Sequence, residues 1–111
     1  MLSIIIPTMQ KNLKVLNKLL SELDADACVG EIIVIDNSSK GFDSDLKKVK
    51  VYVQKENLFV NPAWNLGIRL SSPEYKYFGI LNDDIIFSGN FFGAVHDFLE
   101  HKPENCGLVG I

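Results

Sequence analysis

Short apolar runs separated by polar segments dominate the pattern of this chain. Leu2–Ile6, Glu31–Ile35 and Tyr75–Leu81 are rich in β-branched or aromatic residues, which favours buried strands. Val49–Gln54 alternates apolar and polar positions and predicts a further strand nearer the edge of a sheet. Cys106–Ile111 resembles the start of a fifth strand. The chain therefore supplies four predicted strands and the beginning of another.

Helical spacing of apolar residues marks the segments between these strands. The first helix is predicted to start at Leu13, to end between Asp24 and Ala27, and to be followed by a break at Gly30. Its apolar stripe comprises Leu13, Leu16, Leu19, Leu20 and Leu23. The second helix is predicted to take Asn61 as its N-cap and Pro62 as its first residue. Its inner stripe comprises Ala63, Leu66, Gly67 and Leu70, and a third helix opens at Ser88–Asn90.

Alternating strands and helices predict an α/β fold with three layers, in which helices cover both faces of a mostly parallel, Rossmann-like sheet. Right-handed crossovers favour the order third, second, first, fourth strand. Ligands of such sheets bind beyond the carboxyl ends of the strands, where the winding reverses. Polar clusters follow three of the predicted strands, at Pro7-Thr8, Asp36-Asn37 and Asn82–Asp84. We expect them to meet and to form a site.

Composition and charge restrict the class of protein. The 111 residues are enough for one domain, and 47% apolar with 23% charged residues is typical of a globular chain. A net charge of −3 argues against nucleic-acid binding, which normally requires a basic surface. No apolar run approaches the roughly 20 residues of a membrane span, and the first residues lack the pattern of a signal peptide. We therefore expect a cytoplasmic protein.

The adjacent carboxylates of Asp83 and Asp84 indicate a cation at the end of the fourth strand. Mg²⁺ and Mn²⁺ prefer such oxygen ligands, although a polar turn would use the same residues. No glycine-rich phosphate loop occurs in the chain, so phosphates would be held mainly by the metal. The implied ligand is a nucleotide diphosphate with its metal on Asp84. Asp36 is placed to bind a base or ribose, or alternatively to cap its own turn through Ser38 or Ser39.

Four segments, in order, resemble the N-terminal, nucleotide-binding half of a family 2 glycosyltransferase with the GT-A fold. Residues 3–8 match the opening strand of that family, and residues 31–39 match its V-D-[DN]-x-S segment. Residues 57–67 follow its N-x-G-x-x-x-A-R-N-x-G segment, and residues 81–84 take the D-x-D position. The order and spacing of these four segments over nearly the whole chain make the resemblance specific.

The resemblance implies a role for each matching polar residue. Asp36 would bind the nucleobase in a pocket lined by Pro7 and Thr8. Asn82 would face the ribose, Asp84 would hold the divalent cation, Mg²⁺ or Mn²⁺, and Asp83 would contact the donor or support the loop. Asn65 falls on a polar helix position near the sugar-phosphate. The nucleotide-binding residues are thus Pro7, Thr8, Asp36, Asn65, Asn82 and Asp83, with Asp84 as the metal ligand.

The resemblance also implies the reaction, a metal-dependent transfer of a sugar from a nucleotide-diphosphate donor to an acceptor hydroxyl with inversion. Family members carry a second half that binds a glycan or lipid-linked acceptor and supplies the general base. We expect that half, and any membrane association, beyond residue 111, so that residues 1–111 form an inactive or nearly inactive donor-binding domain of polysaccharide biosynthesis.

The chain departs from the family pattern at three positions. Asn82 replaces the first aspartate of D-x-D, and Phe59 and Trp64 replace a glycine and an arginine. Trp64 would either pack on the sheet or stack on substrate. The variant segments resemble rhamnosyltransferase-like members, which favours a UDP- or dTDP-sugar. Two other functions stay open: a non-catalytic nucleotide- or metal-binding module of the same fold, and a nucleotidyltransferase, which is disfavoured because no glycine follows the first strand.

Overall fold

A computed structural model of the chain describes residues 1–86 and 91–101. In this part of the chain the elements are β1 Leu2–Thr8, α1 Leu13–Ala25, β2 Val29–Asp36, β3 Val49–Val53, α2 Val60–Leu70, β4 Tyr77–Ile80 and α3 Phe91–His101. The predicted strand at Cys106–Ile111 and the predicted helix start at Ser88–Asn90 lie outside the described residues. Within the described ranges, the helices are too short and too polar to cross a lipid bilayer.

The four described strands form one parallel sheet in the order β3-β2-β1-β4. Ile5 of β1 pairs with Ile33 of β2 on one side and with Ile80 of β4 on the other. The predicted strand order is therefore confirmed, and the winding reverses between β1 and β4. This is the position at which a ligand site is expected in an open α/β sheet.

Helices pack against both faces of the sheet, which confirms the three-layer α/β/α architecture. On one face, α1 and α3 cover the alternate residues Ile4 and Ile6 of β1. On the other face, α2 covers Ile5 together with Ile33 of β2. The buried stripe of α1 comprises Leu16, Leu19, Leu20 and Leu23, whereas the predicted members Leu13 of α1 and Leu70 of α2 are exposed.

Gly30 does not break the chain, because it lies inside β2 and the strand begins at Val29. A Cβ atom at this position would lie 2.1 Å from the ring of Tyr75. The Tyr75 hydroxyl donates a hydrogen bond to the carbonyl of Gly30 at 3.2 Å. The glycine therefore gives room to an aromatic ring rather than ending a strand.

The predicted start of the second helix is wrong. Helix α2 begins at Val60 with Phe59 at the N-cap, so Asn61 is a helical residue and Pro62 is the third position of the helix. The helix starts early because the side chain of Asn37 binds the backbone of the segment that precedes it. Pro62 still lies in the first turn, where its missing N–H breaks no helical hydrogen bond.

Strand β4 is shorter and more exposed than the sequence predicts. It spans Tyr77–Ile80, and its residues Phe78 and Ile80 are 44% and 43% exposed. The strand is at the edge of the described sheet, with β1 as its neighbour. Its face on the α2 side is therefore only partly covered by the described residues.

Candidate functional site

The polar segments that follow β1, β2 and β4 meet at one edge of the sheet. Thr8 is the last residue of β1 and pairs in register with Asp36, the last residue of β2. Beyond β4, the backbone N–H of Leu81 still donates to the Ile5 carbonyl at 3.0 Å. The acidic segment Asn82–Asp84 follows directly. Parallel strands with aligned carboxyl ends thus place these side chains together.

Asp36 is buried, and four donors surround its carboxylate. The backbone N–H and the hydroxyl of Ser38 donate to Oδ1 at 3.0 and 2.6 Å. The side-chain amide of Gln10 and the backbone N–H of Gly41 donate to Oδ2 at 2.8 and 2.7 Å. The capping role through Ser38, one of the two predicted roles of Asp36, is present in the structure.

The hydrogen bonds keep Asp36 ionised despite its burial. Burial by itself would raise the pKa of this carboxyl, because water no longer solvates the charge. The donors from Ser38, Gly41 and Gln10 favour the charged form, and together they hold the pKa below its ordinary value. At neutral pH the group is therefore a carboxylate that accepts hydrogen bonds and donates none.

Gln10 belongs to the site although it is not among the predicted site residues. Its backbone is left-handed, with φ 55°, and its amide nitrogen reaches both Asp36 and the carbonyl of Gly41, the latter at 3.1 Å. Its backbone N–H donates to the hydroxyl of Thr8 at 2.9 Å. A polar residue two positions beyond a strand is the only sequence signal for this role.

Thr8 connects the acidic segment to the rest of the site. Its hydroxyl donates to Oδ2 of Asp83 at 2.7 Å and accepts the backbone N–H of Gln10. A continuous path of contacts thus joins Asp83, Thr8, Gln10 and Asp36. The three strand ends that carry the predicted site are linked by side-chain hydrogen bonds and by the backbone N–H of Gln10.

Asp84 and Asn82 are exposed, and neither makes a hydrogen bond with the other residues of 1–86 and 91–101. The described part of the chain contains no group of three or more acidic, histidine or cysteine side chains that could hold a metal by themselves. The open carboxylate of Asp84, which directly follows Asp83 in the sequence, nevertheless offers the kind of oxygen ligand that Mg²⁺ and Mn²⁺ prefer. These ions take one or two carboxylates and complete their coordination with water and phosphate oxygens.

Two predicted site residues stand apart from this hydrogen-bonded path. Pro7 is buried beside Ile35 in the register of β1 and β2. Asn65 is exposed on α2, and its side chain makes no hydrogen bond with the described residues. The structure therefore brings together Thr8, Asp36 and Asp83 and leaves Asn65 at the helix surface.

Trp64 attaches α2 to the acidic segment. Its indole N–H donates to the carbonyl of Leu81 at 3.3 Å, one residue before Asn82. Its ring packs against the buried cluster that contains Ile5 and Ala63. Of the two predicted roles, packing on the sheet is the one that these contacts provide.

Asn37 holds the start of α2 against the end of β2. Its Oδ1 accepts the backbone N–H of Leu58 at 3.1 Å, and its Nδ2 donates to the Phe59 carbonyl at 3.3 Å. Phe59 adopts φ 63° and ψ −171° and is 71% exposed. An aromatic side chain in an unusual backbone conformation thus borders the site.

Comparison with known proteins identifies the family of the chain. No curated protein and no solved structure matches the chain. A model of the family described as glycosyl transferase family 2 matches residues 3–110, and these residues include every segment on which the sequence resemblance rests. An all-parallel sheet with polar residues at its carboxyl edge is the fold expected from that resemblance. The chain belongs to glycosyl transferase family 2.

Proposed function

We propose that residues 1–111 form the donor-binding part of a glycosyltransferase that uses a UDP- or dTDP-sugar, in the manner of rhamnosyltransferase-like members. Membership in the family supports glycosyl transfer in general. One observation carries the assignment of the site: hydrogen bonds connect Asp83, Thr8, Gln10 and Asp36 across the ends of β4, β1 and β2. Ligands of parallel α/β sheets bind at this edge.

Asp36 would bind the nucleobase in this proposal, with Pro7 and Thr8 beside it. An ionised carboxylate accepts an N–H donor, and uracil and thymine each carry an imide N–H on their hydrogen-bonding edge. Four donors already contact Asp36, and three of them come from the turn at residues 38–41. The base would therefore displace the fourth, the side-chain amide of Gln10, which can rotate away.

The diphosphate would lie toward β4, with Asp84 as the ligand of Mg²⁺ or Mn²⁺ and Asp83 beside it. When bound, such an ion offsets the negative charge that develops on the departing diphosphate. Thr8 would hold Asp83 in place through the 2.7 Å hydrogen bond. Asn82 would bind the ribose, and Asn65 would contact the sugar-phosphate from α2.

The rest of the reaction would use residues outside this chain. An acceptor hydroxyl, on a glycan or a lipid-linked sugar, would attack the anomeric carbon as its bond to the diphosphate breaks, which inverts that carbon. A carboxylate general base would take the hydroxyl proton. We place the base and the acceptor site beyond residue 111.

Calorimetric titration of UDP, dTDP and GDP, first with Mn²⁺ and then with EDTA, tests the proposed function. We expect UDP or dTDP to bind in the presence of Mn²⁺ and to lose most of its affinity in EDTA. The Asp84→Ala variant should bind equally weakly under both conditions. Glu22→Ala, which removes an exposed carboxylate of α1, is the matched control. Failure of all three nucleotides to bind the wild-type chain would contradict the proposal.

A further inference from the structure

Phe59 has a backbone conformation that side chains other than glycine rarely adopt. With φ 63° and ψ −171° it lies in the region that is essentially confined to glycine. A Cβ atom and a bulky ring make this conformation costly. Such outliers persist only where the surrounding structure enforces them, and they cluster at functional sites.

Three hydrogen bonds hold the segment in this conformation. The backbone N–H of Phe59 donates to Oδ1 of Asn57 at 2.8 Å. The amide group of Asn37 accepts from Leu58 and donates to the Phe59 carbonyl. The conformation is therefore specified by two asparagine side chains, one of which is buried at the end of β2.

Packing of the ring does not compensate for the strain. The side chain of Phe59 is 71% exposed, and it is a member of neither core cluster of the described residues. A glycine at this position would adopt the same backbone without strain. The ring is thus kept, at a cost, on the surface beside the site.

The position of Phe59 indicates which part of a ligand it would meet. Asn37, which holds it, directly follows Asp36 at the end of β2. Strand β1 separates β2 from β4, so the ends of β2 and β4 lie about 10 Å apart. The ring is therefore attached on the side of Asp36 and away from Asp84.

We propose that Phe59 is a binding residue whose ring stacks on the face of the nucleobase. This inference rests on the proposed function, in which Asp36 binds the edge of the same base. Every base has a flat π face, and stacking on an aromatic side chain contributes substantially to nucleotide binding. Hydrogen bonds to Asp36 would recognise the edge of the base, and the Phe59 ring would contact its face.

A pair of variants tests the strain. Phe59→Ala and Phe59→Gly both remove the ring, but only glycine relieves the backbone. At ordinary positions of regular structure the glycine variant is the less stable of such a pair. Here we expect Phe59→Gly to have the higher Tm. A higher Tm for Phe59→Ala would show that the conformation is not strained and would overturn the argument.

Calorimetric titration of UDP or dTDP with Mn²⁺ tests the stacking. We expect Phe59→Ala and Phe59→Gly to weaken binding by roughly 5- to 150-fold, the range that corresponds to loss of one base stack. Phe59→Trp should retain affinity, whereas Phe59→Leu, apolar but without a π face, should lose it. Phe78→Ala removes another exposed phenylalanine, which pairs with Ser3 near the start of β1, and should leave nucleotide affinity unchanged. Binding of Mn²⁺-pyrophosphate, which lacks a base, should be the same in wild type and Phe59→Ala.

The outcomes separate this inference from the proposed function. If the wild-type chain binds no nucleoside diphosphate, both fail. If it binds UDP or dTDP and Phe59→Ala binds equally well, only the stacking role is wrong. If Phe59→Ala weakens pyrophosphate as much as the nucleotide, the ring does not act on the base, and the proposal is overturned.

Discussion

Asp36 shows how one carboxylate can be both a structural residue and a candidate ligand group. Its four donors satisfy the carboxylate, and they keep it charged although it is buried. The sequence alone predicts either a turn-capping or a ligand-binding role for this residue. The structure shows the first and adds Gln10, whose amide a ligand would have to replace.

The lowered pKa of Asp36 predicts how stability depends on pH. Because the folded pKa lies below the unfolded value of about 3.9, the stabilisation is complete above that pH and is lost as pH falls through the folded pKa. In Asp36→Asn, the side-chain NH₂ is itself a hydrogen-bond donor and would face the donors that now bind the carboxylate. We expect this variant to lose about 1–3 kcal/mol in free energy of unfolding at pH 7, and the difference from wild type to shrink in acid.

Urea unfolding of the wild type and of Asp36→Asn, at pH 7 and at successively lower pH, measures how the difference in free energy of unfolding depends on pH. Asp45→Asn, at an exposed carboxylate, is the control and should differ little from wild type at any pH. A difference between wild type and Asp36→Asn that stays constant down to full acid unfolding would exclude the ionised carboxylate as its source.

Helix α2 connects the core to the site. Ala63 and Gly67 face the sheet, and Trp64 between them binds the Leu81 carbonyl ahead of the acidic segment. The helix can approach this closely because Gly67 has no side chain. A Cβ there would lie 2.2 Å from Cγ2 of Ile5. The position of α2, and with it that of Asn82–Asp84, depends on this contact.

Gly67→Ala should therefore destabilise the protein although alanine is the better helix former. The intrinsic preference favours alanine by roughly 1 kcal/mol, but overpacking against β1 costs about 1–3 kcal/mol. We expect a net loss of stability in urea unfolding and, because the acidic segment moves with α2, weaker Mn²⁺-dependent nucleotide binding. Ile68→Ala, on the exposed side of the same helix, should have a small effect. A more stable Gly67→Ala would contradict the close packing.

At the scale of the whole molecule, the candidate site has two parts on the same edge of the sheet, one at the end of β2 and the other at the end of β4. The β2 end is closed and already saturated with hydrogen bonds, whereas the β4 end presents the exposed carboxylate of Asp84. A single open carboxylate binds a divalent ion weakly, and phosphate oxygens would supply the missing ligands. Metal and nucleotide should therefore bind together.

We expect Mn²⁺ and UDP or dTDP each to raise the affinity for the other by the same factor, because linkage is reciprocal. A factor of roughly 5- to 150-fold is typical of such coupling. Asp84→Asn should abolish the coupling, whereas Asn82→Ala should weaken nucleotide binding and keep the factor. Titrating each ligand with and without the other measures both directions. Tight Mn²⁺ binding in the absence of nucleotide would argue for a complete metal site elsewhere.

The sequence by itself determined the layers, the strand order and the edge at which the polar segments meet. Apolar strands must be buried on both faces, and amphipathic helices supply the cover. Because the crossover connections are right-handed, few arrangements of these strands and helices are possible. For the same reason Thr8, Asp36 and Asp83 could be predicted as neighbours from their positions after three strands. The family could also be recognised, because its segments keep their order along the chain.

Only the tertiary structure decided the donors to Asp36, the start of α2 and the conformation of Phe59. These features depend on contacts between distant segments: Gln10 is 26 residues from Asp36, and Asn37 is 22 residues from Phe59. Local propensity favours Asn61 as the helix cap. The buried side-chain amide of Asn37 instead binds the backbone just before the helix, and the helix begins at Val60. Side-chain contacts across the fold are absent from any short window of sequence, which is why local patterns predicted the edge of the sheet and not the atoms that complete it.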